Sequence, residues 1–328
     1  MNRIRKILLF CLAMPMFGFV WGFYGHKRIN RLAVFTLPPS MIGFYKKNIE
    51  CLTEESVAPD RRRYAVEDEA PRHFIDLDEY GDSAAYKLPK YWSQAVEKFG
   101  EDTLMSRGIV PWHIQTMYHR LKDAFMINDP SAILRLSAEL GHYVADANVP
   151  LHTTSNYDGQ LTGQDGQDGL HGFWESRLPE LFAKDYTFFV GKAAYVSDVS
   201  AEAWSAVRGA NAALDSVLTI EKDLYERVGT KKYGFESRGR QTQRVVAFNY
   251  SRSYHESLHG MVERQMRRSI KMTGDLWYSA WVDAGQPDLK KLIDYTPTEE
   301  ELAQRKALLQ EWKNQRYNVR AHDSEEGN

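Results

Sequence analysis

Two histidine–carboxylate pairs constrain the fold of this chain more than any other feature of its sequence. In Gly141-His142-Tyr143-Val144-Ala145-Asp146, His142 and Asp146 stand four residues apart. In Leu170-His171-Gly172-Phe173-Trp174-Glu175 the same step joins His171 to Glu175. On a helix that spacing stacks two side chains on one face, about one turn apart. An imidazole and a carboxylate so placed offer two ligands to one divalent cation. A lone pair of this kind is most often capped or solvated. Two pairs flanking a third histidine, His152, are harder to explain that way. His152 lies six residues beyond Asp146, just past Pro150, which should end the first helix. The stretch from Ser131 to Glu180 therefore reads as part of a metal site whose other ligands come from elsewhere.

The chain opens as an export signal. Arg3, Arg5 and Lys6 form a positive start, and Ile7 to Val20 is an almost unbroken apolar run, too short to span a bilayer comfortably. Removing residues 1–20 deletes three basic groups and takes the formal charge from −2 to about −5. A mildly acidic mature chain has no global basic field to attract nucleic acid. Of the two cysteines, Cys11 lies in the signal and lacks the context of a lipid-anchor site, so the mature chain with Cys51 can form no internal disulfide. Stability must come from the core and from metals. No repeat or linker divides the rest.

Between Tyr86 and Phe125 apolar and aromatic residues recur at helical spacing, interrupted by Val110-Pro111-Trp112-His113, where Trp112 and His113 read as core or pocket wall. Asp129-Pro130-Ser131 is a helix start, with Asp129 as N-cap and Pro130 in the first turn. Ile133, Leu134, Leu136, Leu140 and Val144 form the apolar stripe behind the His142–Asp146 pair. Residues 156–169, including Gly163-Gln164-Asp165-Gly166, lack calcium-loop spacing and read as a mobile connection near the mouth of the site. Beyond Glu180 the pattern continues as amphipathic helices, with His255 and His259 in packing or surface roles. Glu299 to Asn318 reads as an exposed helix and His322 to Asn328 as a disordered tail. Strand-like alternation is scarce. The expectation is an all-α chain: a signal over 1–20, one compact multi-helix domain over 21–295, and a charged tail over 296–328.

Trp21-Gly22-Phe23-Tyr24-Gly25-His26, together with the later pairs, resembles the superfamily of zinc-dependent phospholipases C and single-strand-specific zinc nucleases. In that family the mature N-terminal Trp binds zinc through its own amine and carbonyl, which here requires cleavage directly before Trp21. A free α-amine, with a pKa of roughly 8, is readily deprotonated by a bound cation. The family also takes a carboxylate and a histidine from a region matched by Asp60 and His73, with Asp76, Asp78, Asp68 and Glu69 as nearby competitors. The resemblance implies up to three zinc ions in a trinuclear cluster: Asp60, His73 and His142 on one, His152, His171 and Glu175 on a second. Trp21, His26 and Asp146 would hold the third, with Asp146 bridging to the first. It further implies that Asp60 can accept a proton, and that Arg63, three beyond Asp60, steadies a phosphate in the nuclease manner.

Such a cluster suits in-line hydrolysis of a phosphodiester by metal-activated water. Two substrates are open: a phospholipid head group or a single-stranded nucleic acid. Glu175 is the phospholipase-like choice, whereas the Trp21–His26 step and Arg63 are nuclease-like. Arg61 to Arg63 is the only obvious basic cluster near a ligand, and as a charge run it would ordinarily be solvated. The expectation is an exported, monomeric phospholipase C-like phosphodiesterase without a stable protein partner. A single-strand nuclease is the alternative, and a non-catalytic zinc-binding protein is the third reading.

Overall fold

The structure, a computed structural model, describes residues 21–162, 167, 169–238 and 241–314. The signal segment, Gly163-Gln164-Asp165-Gly166 and the tail beyond 314 lie outside the described residues.

The helices that build the domain include α1 (Trp21–Ala33), α2 (Ala58–Arg62), α3 (Val110–Met126), α4 (Pro130–Asp146), α5 (Val199–Val228), α6 (Phe248–Ser257), α7 (Met261–Asp283) and α8 (Glu299–Asn314). The organising pair is α3 and α4, which pack along each other. The corner between them is closed by Asn128 in a left-handed conformation (φ 56°). Asp129 caps α4 by accepting the Ala132 N–H at 3.0 Å, and Pro130 follows at the first position. The helix ends at Asp146 because Val149, ahead of Pro150, is extended. Leu140, Val144, Leu121, Phe125 and Trp277 are buried between α3, α4 and α7. The Trp277 indole N–H donates to the Ser137 carbonyl at 2.9 Å, which fixes the height of α7 against α4.

Helix α1 lies against both α4 and α7. Its approach to α4 is set by Gly141: a Cβ there would sit 2.3 Å from the Asn30 Oδ1. Asn30 is buried, and its Nδ2 donates to the His26 carbonyl at 3.1 Å. Only a residue without a side chain lets α1 bring His26 down onto the end of α4.

The chain is mostly helical, but two expectations about its second half need correction. Residues 187–198 form neither helix nor strand. Their backbone N–H groups are taken by side chains and carbonyls of the bundle: Ala193 donates to the Thr36 carbonyl, Ala194 to Asp275, and Val196 to Ser279. Secondly, β1 (Tyr233–Arg238) and β2 (Gln241–Val246) pair as an antiparallel hairpin. Tyr233, Phe235, Val245 and Val246 favour extended backbone, and an amphipathic-helix reading misses a hairpin this short. The expected C-terminal helix is present as α8. Thr298 and Glu301 form a capping box, with Glu301 accepting the Thr298 N–H and Thr298 accepting the Glu301 N–H. The described side chains of α8 are mostly exposed, and it touches α2. No helix among the described residues is long and apolar enough to cross a membrane.

Replacing Gly141 by Ala should destabilise the domain by roughly 1–3 kcal/mol, the usual cost of overpacking. Thermal unfolding will show it. The double variant Gly141→Ala with Asn30→Ala should recover part of the loss, since it removes the atoms that the new methyl meets.

Candidate metal centre

His26 projects from α1, Asp60 from α2, and His142 and Asp146 from the last turns of α4. His73 ends a 3-10 turn over Ala70–His73, and His152 sits in another over Pro150–Thr153. The Pro150–Thr153 turn is pressed into place by α5. His171 lies in the short helix Leu170–Gly172, and Glu175 in the π turn Phe173–Arg177 that continues it. Asp158 fixes this last piece by accepting the N–H groups of Gly169 (3.0 Å) and His171 (3.1 Å). π turns inserted in helices are frequent at functional sites.

All eight side chains are buried, and they assemble into three groups whose ligand atoms lie within 4.8 Å of one another. These groups are Asp60, His73 and His142; His26, His142 and Asp146; and His152, His171 and Glu175. A tetrahedral ion with donors at about 2.0–2.1 Å sets neighbouring ligand atoms about 3.3 Å apart. In the third group the His152 and His171 Nε2 atoms are 2.9 Å apart, and Glu175 Oε2 is 3.2 and 3.1 Å from them. In the first group His142 Nε2 and His73 Nδ1 are 3.0 Å apart, with Asp60 Oδ1 at 3.8 and 4.0 Å.

Backbone carbonyls decide which ring nitrogens face the centre. The Nδ1–H of His142 donates to the Ser56 carbonyl and that of His152 to the His73 carbonyl, both at 2.8 Å. A carbonyl can only accept, so Nε2 of each ring is turned inward as the lone-pair donor, the arrangement that orients metal-bound histidines. Asp146 joins the groups. Its Oδ2 lies 3.0 Å from His73 Nδ1 and 3.2 Å from His142 Nε2, and its Oδ1 lies 3.4 Å from His26 Nε2 and 3.6 Å from His152 Nδ1.

The donor set of imidazoles and carboxylates, buried and pre-oriented, fits zinc. The electrostatics agree. Burial disfavours protonated His142, but Asp146 and Asp60 outweigh burial and raise its pKa to about 9. Burial, reinforced by the His142 charge, pushes His26 down to about 4, and burial also lowers His73. Burial works against the Asp146 anion, yet His142, His152 and His73 hold its pKa well below the usual carboxylate range. The two carboxylates thus favour positive charge at His142 Nε2, where a cation can replace a proton.

His142 belongs to two groups, but its Nδ1 is committed to Ser56, so its one inward nitrogen serves one ion. The group built on His26 and Asp146 is then short of a donor. Trp21 opens α1 five residues before His26, and its side chain lies outside the described residues.

Arg63 is buried, donates from Nη2 to the Tyr64 hydroxyl at 3.1 Å, and overlies that ring. The three arginines are not a solvated run, since Arg61 and Arg62 are half-buried. Arg62 has the bidentate role, with Nε and Nη2 donating to the two Glu69 oxygens at 3.0 and 3.1 Å and Nη1 to Glu139 at 2.8 Å. Tyr143 and Arg72 also donate to Glu69. Glu69 Oε1 faces His73 Nε2 at 3.8 Å, so this network backs the first group rather than joining it. Glu69, a candidate ligand by its position in the sequence, thus serves as support, and the nearby Arg62 and Arg72 are the signal in the sequence for that role. Asp78 is used by Ser155 and Thr154, and Asp68 is exposed. Asp76 precedes the 3-10 turn Leu77–Tyr80, and its N–H donates to the Arg107 carbonyl. Trp112 and His113 line the core, His113 edge-on to Tyr143, while His255 stacks on Phe182 and His259 is exposed.

Beside His26 and Glu175 lies a pocket walled by Ile29, Val149, Trp174, Val262 and Met266, with no lysine or arginine among the described residues that line it. No protein-family model and no curated protein matches the chain.

The Glu69 carboxylate gives a pH signature. Burial opposes its charge, but Arg62, His73 and Arg72 outweigh burial and lower its pKa from 4.5 to about 2. A depressed folded pKa contributes stability that is present above the unfolded value and lost as pH falls from about 4.5 towards 2. Glu69→Gln should therefore cost up to ~3 kcal/mol at neutral pH, and the gap to the parent should close at the acid end of that window. Denaturant titrations across the range check both the size and the sign.

Proposed function

We propose that the chain is an exported zinc-dependent phosphodiester hydrolase of phospholipase C type, holding up to three zinc ions. The observation that carries this reading is the set of three buried ligand groups linked through Asp146 and His142, with spacings suited to ions about one coordination radius from each donor. The likeness of the ligand pattern to the zinc phospholipase C and nuclease superfamily supports it from the sequence side.

Bound zinc supplies Lewis acidity towards phosphoryl oxygens and activates water at neutral pH. The chain's own residues do the rest. Asp60 stands at the edge of the first group, 3.8 Å from His142 Nε2, where its carboxylate can take up the proton released when water attacks. Asp146 holds His73 and His142 in place through one oxygen. The Ser56 and His73 carbonyls keep His142 and His152 in the inward-facing tautomer. Glu175 closes the second position with the carboxylate that the phospholipase branch prefers.

One observation favours the phospholipid. Among the described residues, the pocket beside His26 and Glu175 is mostly apolar and has no lysine or arginine in its lining, a poor wall for a polyanion. A choline- or ethanolamine-type phosphodiester should be cleaved faster than single-stranded DNA or RNA by the same zinc-loaded preparation. His142→Ala and His171→Ala should each abolish turnover, and the former serves as the control for contaminants. Digestion of single strands without phospholipid turnover would reverse the order, and activity on neither would favour a binding protein.

Elemental analysis tests the metal directly. A chain beginning at Trp21 should hold one zinc more than a chain retaining residues 1–20, because only the former has an α-amine at Trp21. Equal zinc in the two would remove Trp21 from the centre, and less than one zinc per chain would remove the centre itself.

A further inference from the structure

Although the chain is acidic overall, residues 231–252 carry Lys231, Lys232, Arg238, Arg240, Arg244 and Arg252 against a single acid, Glu236. This is the segment that folds into β1, β2 and the start of α6. Glu236 is committed internally, as it accepts from Arg177, two residues beyond Glu175. Lys232 is committed too. Its buried ammonium donates to Glu221 Oε1 at 2.7 Å and lies 5.6 to 5.9 Å from the rings of Tyr233, Tyr225, Tyr250 and Phe173. An ammonium so enclosed by a carboxylate and four π faces is held firmly. The base of the hairpin is therefore fixed against Phe173, in the π turn that carries Glu175.

Lys231, Arg244 and Arg252 face water, and aromatic rings stand among them. Phe235 is 75% exposed and Phe248 48%. Strand register sets Phe235 directly opposite Arg244 and on the same hairpin face as Tyr233, whose ring centroid is 3.7 Å from the Arg244 guanidinium. Arg252 lies 5.9 Å from the Phe248 ring. Apolar rings held out among cations match a surface that is anionic at its face and apolar just beneath. A single-stranded polyanion could also meet these groups, but among the described residues the pocket beside the centre offers it no lysine or arginine to continue onto.

We propose that the outward face of the β1–β2 hairpin, with the exposed start of α6 beside it, docks the protein onto an anionic phospholipid surface, with Phe235 entering the interface, Arg244 meeting the lipid charge, and Phe248, Lys231 and Arg252 extending the contact at its margin. The phosphodiesterase reading explains what docking achieves, namely presentation of lipid to the centre, while the docking itself stands on the hairpin and its two flanking turns. Vesicle co-sedimentation of the zinc-loaded protein tests it. The parent should bind vesicles of phosphatidylcholine mixed with phosphatidylglycerol, weaken with added salt, and bind phosphatidylcholine alone poorly. Phe235→Ser combined with Arg244→Ser should lower the association constant about tenfold or more, with melting temperature and zinc content unchanged. The proposal is overturned if the parent ignores anionic vesicles or the double variant binds them as the parent does. It is also overturned if a labelled oligothymidylate binds the parent, displaces the vesicles and loses affinity in the same variant, which would assign the face to nucleic acid. Turnover of a soluble phosphodiester separates the two readings. Vesicle binding without turnover leaves docking standing and removes the hydrolase, whereas turnover without vesicle binding does the reverse.

Discussion

Asp146 is almost fully buried, and a carboxylate in that position is costly unless positive or polarised groups surround it. Four histidines do so: His26, His73, His142 and His152, from four separate stretches of chain, all within 3.6 Å of its oxygens. The arrangement works in both directions. The carboxylate is tolerable only where those rings converge, and the rings converge only where α1, the Ala70–His73 turn and the Pro150–Thr153 turn are drawn to the end of α4. The close approach at Gly141, the carbonyl of Ser56 and the pressure of α5 on the Pro150–Thr153 turn all serve that one point.

The supporting polar groups show how such a centre is kept rigid in a mostly apolar bundle. Behind the first ligand group the Arg62, Glu69, Glu139 and Tyr143 side chains satisfy one another, so the buried charges there are paired rather than stranded. Behind the Glu175 group the support comes from the hairpin, through Arg177 to Glu236 and the Val246 carbonyl, and through Lys232 beneath Phe173. The two sides of the centre are thus braced by unrelated parts of the chain.

Much of this was legible in the sequence because it rests on periodicity. Asp129-Pro130 opens α4, Pro150 stops it, and the i,i+4 pairs fall where helical geometry puts them. The contacts of Arg62 and Arg63 were not legible by counting from Asp60. Helix α2 stops at Arg62, and Arg63 turns in to Tyr64, leaving Arg62 to make the bidentate contact. Nor does a four-residue step distinguish an α turn from the π turn that holds Glu175. The hairpin escaped because its strands are short and mixed in character, although six bases against one acid over residues 231–252 is visible in the bare sequence. The carbonyls of Ser56 and His73 carry no side-chain signature at all.

The wide spacing of the centre's donors along the chain also bears on how quickly it can form. His73 and Asp146 are 73 residues apart, and Ser56 and His142 are 86 apart. Closing loops of that length costs entropy before any contact rewards it, so assembly of the centre belongs to a late step of folding. Helices α3 and α4, joined by a corner of three residues, need no such closure and can pair early. A cation held at the finished centre would act as a clasp across these long loops, slowing unfolding more than it speeds folding.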